Sequence, residues 1–264
     1  MNRKKGINSD CIRGADERVT LELMKEAGFE AFFTFQKDTK ELMSIKEKSV
    51  KLGLTGEFIH APYKGINDMW MSGVSYWDIF KKMTDTIDNA DCCDMRCVII
   101  HVSSGDNAPQ VNDLGLSRFD ALVEYAEKKN VVLAFENLRK IGNLGVLVER
   151  YEKIDTVKFC YDCGHRHCYT PQLEWIDVFS EKLFCTHIHD NLGRTVERID
   201  DDLHLLPLDG NFDFESMMKL LDRADYQGTL MLEVFNTAHP LYRKLGAEKF
   251  IKKAYDRLTK IIEM

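Results

Sequence analysis

Several features common in other protein classes are scarce or missing here. Only five prolines occur in 264 residues, and no Gly/Pro-rich linker, low-complexity run or shift in composition divides the chain. One domain spanning residues 1–264 is therefore expected. No stretch approaches the roughly 18 consecutive apolar residues of a membrane-spanning helix. The opening Met1-Asn2-Arg3-Lys4-Lys5-Gly6 leads into no apolar segment. Neither a secretory leader nor a membrane anchor is expected, and the cytoplasm is the expected compartment. An excess of basic charge is also missing. Thirty-six Lys+Arg stand against 43 Asp+Glu, a formal charge of −7, which leaves no electrostatic case for nucleic acid or an anionic membrane as partner. Glycine-rich phosphate motifs are missing too. No Gly-x-Gly-x-x-Gly follows the first apolar run, which disfavours an open doubly wound sheet, and no such loop follows the last two.

Cysteine is not scarce, at eight, but its pattern is uninformative. Cys92, Cys93 and Cys97 crowd together, and Cys160-x-x-Cys163 encloses Asp162 with no second C-x-x-C at zinc-site spacing. Reduced, mostly buried thiols are expected.

What the chain does have is a repeating pattern of short apolar run, polar loop and amphipathic helix. The expected strands are Lys5–Asn8, Glu30–Phe35, Gly56–His60, Cys97–Val102, Val131–Glu136, Val157–Asp162, Leu183–His187 and Thr229–Glu233. Near-continuous runs such as Val131-Val132-Leu133-Ala134-Phe135 suit a parallel sheet covered by helices. Helical spacing appears at Leu21, Met24 and Gly28, at Leu42, Ile45, Val50 and Leu52, at Met217, Leu220 and Leu221, and at Phe250, Ile251, Tyr255 and Leu258. Ser117-x-x-Asp120 has the spacing of a capping box at a helix start. Eight strands alternating with helices over 264 residues predict an α/β chain forming one (β/α)₈ TIM barrel, a fold of roughly 250 residues.

The eight histidines (60, 101, 165, 167, 187, 189, 204 and 239) all fall at or just past the C-terminal end of an expected strand, and none falls in an expected helix. In this fold those ends and the loops after them build the active site. Carboxylates join them: Glu136, Asp162 and Glu233 close apolar strands, where a buried charge demands a cation or a proton. Converging imidazoles and carboxylates make a nitrogen and oxygen cage suited to a divalent ion, Mn²⁺, Mg²⁺, Co²⁺ or Zn²⁺. By alternation His187 and His189 can face the same side, so which of them is the ligand stays open.

From His60-Ala61-Pro62-Tyr63 to Glu233 the sequence resembles the xylose-isomerase-like barrel superfamily. The resemblance runs through His60, His101, Glu136-Asn137, Asp162-x-x-His165, His187-x-x-Asp190, Asp202-x-His204 and Glu233. For the sugar isomerase and epimerase branch it implies a single metal on Glu136, Asp162, His187 and Glu233, with the two glutamates as acid and base. For the AP endonuclease branch it implies up to three zinc ions. The positions are then His60, His101, Glu136, Asp162, His165, His187, Asp202, His204 and Glu233, and each holds a matching residue. Asp162-Cys163-Gly164-His165, Leu138-Arg139-Lys140 after Glu136-Asn137, and Leu206-Pro207-Leu208-Asp209-Gly210 look more like the sugar branch.

The resemblance thus implies a metal-dependent carbohydrate isomerase or epimerase working through a metal-stabilised ene-diolate. The alternatives are a trinuclear zinc phosphodiesterase or a metal-dependent lyase on the same scaffold. His60, His101, His165, His189, Asp202 and His204 are candidates for a second metal or for substrate. Asn137, Arg139 and Trp70 are candidate substrate contacts. The expected partner is a small carbohydrate, phosphorylated or not, and by analogy with relatives a second copy of the chain.

Overall fold

The computed structural model describes residues 3–197 and 202–264. Eight strands form one parallel sheet: β1 Lys5–Asn8, β2 Ala31–Phe35, β3 Thr55–His60, β4 Cys97–Ile100, β5 Val132–Glu136, β6 Val157–Asp162, β7 Leu183–His187 and β8 Leu230–Leu232. Their order is β7-β6-β5-β4-β3-β2-β1-β8. The ring closes between β7 and β8 through the parallel bridge Ile188–Leu232. There Ile188 N–H donates to the Met231 carbonyl (2.8 Å) and Glu233 N–H to that of Ile188 (3.1 Å). The expected (β/α)₈ barrel is the observed fold.

The connecting helices are α1 Glu17–Ala27, α2 Thr39–Leu52, α3 Tyr76–Cys92, α4 Asp113–Lys129, α5 Ile141–Arg150, α6 Cys163–Tyr169, α7 Trp175–Phe179, α8 Phe214–Arg223, α9 Pro240–Leu245 and α10 Ala247–Ile262. Short polar side chains start several of them by accepting otherwise unpaired backbone N–H groups. Asp38 accepts from Glu41 in α2 and Asp213 from Ser216 in α8. The capping box expected at Ser117 is not where α4 begins. Asn112 caps it by accepting from Gly115 N–H, and Ser117 lies inside the helix with its hydroxyl donating to the Leu114 carbonyl. An asparagine just before the helix satisfies the same free donors, so the helix starts one turn earlier. Among the described residues no helix is long and apolar enough to cross a membrane. All eight cysteines are free thiols, and only Cys92 is exposed.

Strand alternation sorts side chains into two cores. Phe32, Ile59, Val98, Ile100, Leu133, Phe135, Phe159, Tyr161 and Leu232 face outward into the layer between sheet and helices. Ala31, Phe33, Phe58, Cys97, Ile99, Ala134, Cys160, Cys185 and Met231 fill the barrel interior. The interior is a packed floor, on which the inward positions of the next layer stand.

Candidate metal centre

The side chains singled out in the sequence continue the inward series by one step of two. His60 follows Phe58, His101 follows Ile99, Glu136 follows Ala134, Asp162 follows Cys160, and Glu233 follows Met231. His187 and then His189 follow Cys185. Both imidazoles therefore point inward, and the structure divides them between neighbouring groups.

At the centre, His187 Nδ1 lies 2.9 Å from Glu136 Oε1, 3.3 Å from Glu233 Oε2 and 3.8 Å from Asp162 Oδ2. One donor atom from each of Glu136, Asp162, His187 and Glu233 falls within a common 4.8 Å. On one flank, His101 Nε2 and His60 Nε2 approach Glu136 Oε2 at 2.8 and 3.4 Å. On the other, His189, Asp202 and His204 form a further group. The His189 and His204 rings stack at 4.0 Å, and Asp202 Oδ2 lies 3.3 Å from His204 Nε2 and 3.1 Å from His165 Nε2. His189 Nε2 is 3.1 Å from both Asp162 oxygens.

Local structure holds these groups in place. Asp162 ends β6 and also caps α6, its Oδ1 accepting the His165 N–H at 2.6 Å. A carbonyl only accepts, so His60, His165 and His204 each donate Nδ1–H to one, those of Ala61, Asn137 and Glu233, at 2.8–3.0 Å. Each Nε2 is thereby turned toward the centre, the arrangement that orients metal-binding imidazoles. Gly164 is required by the close approach of α6 to β7. A Cβ there would lie 2.0 Å from His189 Cε1. Asp190 accepts from the Asn191, Gly210 and Phe212 N–H groups, so it ties down the connection after β7 rather than facing the centre.

The charges are strongly perturbed. Burial alone would raise Glu136, but His187 and His101 outweigh it and hold the carboxyl well below the usual range. Burial would lower His187, yet Glu233 and Glu136 raise it to about 9. Against the same penalty, Asp202 and Glu233 raise His204 to about 10, and Asp162 and Asp202 hold His165 well above its ordinary value. Burial prevails at His101, which is lowered against the pull of Glu136. Protons on imidazoles here neutralise Glu136, Asp162 and Glu233, which are 0–5% exposed, and the half-buried Asp202, and a cation would do the same. Despite their close neighbours, Glu136 Oε2, His187 Nε2 and Asp202 Oδ1 are buried without a directed hydrogen bond. As a donor set the group fits a divalent ion.

Not every candidate lies at the centre. His167 bonds Asn211 Oδ1 at 2.7 Å and His239 is exposed, capping α9. Six of the eight histidines converge. His165 and His167 also sit in α6, where no helix is expected from the sequence, because Asp162 starts one directly at the strand end.

Trp70 is no substrate wall. It is 3% exposed, donates Nε1–H to the Val102 carbonyl at 2.7 Å and lies flat against Gly115, where a Cβ would come within 2.0 Å of its ring. Asn137 is buried and clamps β5 to β6, exchanging two hydrogen bonds with the Asp162 backbone at 2.7 and 2.8 Å. Arg139 does reach the rim, its guanidinium 4.1 Å from the Tyr169 ring centre and Nε 3.7 Å from Asp106.

Aromatic walls exist, but from other residues. Tyr63 stacks on His101 at 4.5 Å, Tyr169 on His165 at 5.5 Å, Phe35 lies against His60 and Phe235 against His204. Two of them carried a readable signal, because Phe35 continues the inward series of Phe33 and Tyr63 sits in the His60-Ala61-Pro62-Tyr63 motif.

Comparison with known proteins agrees with this architecture. The chain is 29% identical over 158 residues to the uncharacterized protein y4fM of Sinorhizobium fredii, covering 53% of this chain and 48% of that protein. It is 26% identical over 163 residues to an inosose dehydratase of Clostridium perfringens, covering 53% and 52%. The chain thus spans about half the length of these two relatives. Among solved structures it superposes on a D-tagatose 3-epimerase-like protein with a TM-score of 0.75 at 21% identity, covering 98% of this chain and 97% of that one. The D-psicose 3-epimerase of Clostridium cellulolyticum H10 gives 0.74 at 14% identity, covering 99% and 100%. The family model described as xylose isomerase-like TIM barrel matches residues 21–261, and the chain belongs to that family.

Proposed function

We propose that the protein is a divalent-metal-dependent isomerase or epimerase of a carbohydrate. The observation that carries this reading is His187 set between Glu136 and Glu233, with Asp162 beside it and all four side chains buried. Glu136, Asp162, His187 and Glu233 would hold the ion. When bound, it would polarise a carbonyl and a neighbouring hydroxyl, lowering the pKa of the C–H between them and favouring the ene-diolate. Glu136 ends β5 and Glu233 directly follows β8, three strands apart around the ring, and they approach His187 from different sides. One takes the proton from carbon and the other returns it, to the opposite face or the adjacent carbon. Imidazoles around Glu136 hold that carboxyl ionised. The solved D-psicose 3-epimerase of the same fold supports the reading.

A second reading is dehydration, favoured by the inosose dehydratase relative. It shares the first proton transfer and then loses a hydroxyl instead of regaining the proton.

The test is metal content by plasma mass spectrometry, followed by incubation of the loaded protein with ketoses in deuterated water. Near one ion per chain, with deuterium entering next to the carbonyl and a new epimer or isomer formed, is the expected result. Exchange followed by loss of water selects the dehydratase. Three zincs per chain with cleavage of abasic DNA would overturn both.

A further inference from the structure

The cysteines crowded around the end of α3 take no part in the barrel mouth, and the fold separates them. Cys97 opens β4 and packs into the barrel floor. Cys92 and Cys93 instead meet Met43 of α2, whose Sδ lies 3.9 Å from Cys92 Sγ and 3.7 Å from Cys93 Sγ. Cys92 is exposed at the last position of α3, Cys93 is its buried cap, and Met43 is half-buried. Successive residues of a helix diverge by about 100° around its axis, so adjacent side chains do not ordinarily meet one partner. Here the chain leaves the helix at Cys93, and Asp94 turns it left-handed at φ 51°. Both thiols come to one thioether at that turn.

Thiolates and a thioether are soft ligands of the kind that select Cu⁺. At a metal–sulfur bond of about 2.3 Å, three sulfurs spread evenly around one ion stand about 4.0 Å apart. The two spacings to Met43 are already close to that, so binding asks for no movement of α2 against α3. Harder ions are not served. Among the described residues no histidine or carboxylate joins the two thiols as a third ligand, and a structural zinc site needs four. Two thiolates on Cu⁺ leave one excess negative charge, and a cation stands beside them. Lys46, one turn beyond Met43 on α2, donates to the Asp94 carbonyl at 3.4 Å and favours the ionised form of Cys93. A nucleophilic role for the pair is disfavoured. Burial, then Cys92, push the Cys93 thiol up to about 11, whereas the thiolate is the reactive form.

We propose that Met43, Cys92 and Cys93 form a binding site for one Cu⁺ ion. Both thiols give their protons to solvent as the ion binds, and the ion fastens α2 to the end of α3. Helix ends that lead into strands lie at the opposite end of the barrel from the mouth. The site is therefore separate from the centre of imidazoles and carboxylates and does not depend on the reaction proposed for it.

The full-length protein, reduced and kept free of oxygen, is titrated with Cu⁺ against a chromophoric Cu⁺ chelator. Bound copper is read by ultraviolet thiolate-to-copper charge transfer. One ion per chain is expected, with affinity rising with pH as protons cease to compete. Copper should also shield Cys92, the one exposed thiol, from iodoacetamide. Cys92→Ser changes an exposed position and should weaken binding by more than the roughly 10–100-fold that loss of an outer-shell partner costs. Met43→Leu keeps the volume and should weaken it within that same range. Cu⁺ should raise the Tm of the unsubstituted protein and not that of Cys92→Ser. The two should melt together without copper, which separates lost binding from lost folding. Copper binding that survives Cys92→Ser belongs to the imidazoles at the mouth and overturns the proposal. Affinity unchanged in Met43→Leu overturns the three-sulfur assignment, and so does a protein that retains no copper against the chelator.

Discussion

The barrel interior has two layers built by the same strands with the same inward alternation. The lower holds Phe33, Phe58, Cys97, Ile99, Ala134, Cys160, Cys185 and Met231. The upper, one step of two further on, holds His60, His101, Glu136, Asp162, His187 and Glu233. Both are buried. The lower layer satisfies itself by packing, because apolar groups need only contact and exclusion of water. The upper layer cannot, and carries unpaired donors and acceptors, displaced pKa values and three crowded carboxylates. Stability and chemistry are thus separated by about two residues along each strand. Cys160 marks the seam, since it lies close to both Glu136 and His187 while its thiol, pushed up by burial to about 12, stays protonated.

The sharpest test of that separation substitutes across it. Glu136→Gln should cost about 10³-fold in turnover, within the usual range for a general acid or base, with little loss of thermal stability. Phe58→Ala should do the reverse and cost about 3–5 kcal/mol of stability, read by denaturant titration, while folded protein keeps its metal content. If Phe58→Ala removes the metal at unchanged stability, the two layers are not independent.

A smaller effect follows from protons standing where a cation would bind. In the metal-free protein His187 is raised to about 9 and His204 to about 10. A raised imidazole contributes stability that is full below its unfolded pKa of about 6.5. That contribution is lost as pH climbs through 9 to 10. The metal-free protein should therefore lose stability across this window, and the metal-loaded protein should not. Metal affinity should rise over the same window, with protons released on binding, as calorimetry in buffers of different ionisation enthalpy will show. Flat affinity with no proton release would contradict the picture.

The smallest effect concerns Trp70. Trp70→Phe removes one buried hydrogen bond to Val102 and should cost about 1–2 kcal/mol of stability with KM unchanged. A raised KM would return Trp70 to the mouth of the barrel.

The parts of the molecule legible in advance were those set by local periodicity. Apolar runs such as Val98-Ile99-Ile100 can satisfy their backbone only in a covered sheet, so β1, β6 and β7 appear with their expected ends and the other five within one or two residues. The clustering of histidines at strand ends followed from the same reading, since a strand end in a barrel is a place as well as a sequence position. Helix starts were less legible, because Asn112 and Ser117 have equivalent capping chemistry.

By itself, the sequence determined the barrel and the inward facing of its chemistry, because strand alternation is a local property. Only the tertiary structure decided which imidazole meets which carboxylate. His187 ends β7 and His189 follows it on the same face, yet one meets Glu136 and Glu233 and the other meets Asp162 and His204. Tertiary structure likewise buried Trp70 and Asn137 and set Tyr63 against His101. Those outcomes depend on how separate strands and loops are registered around a closed ring, and no window of sequence contains that distance.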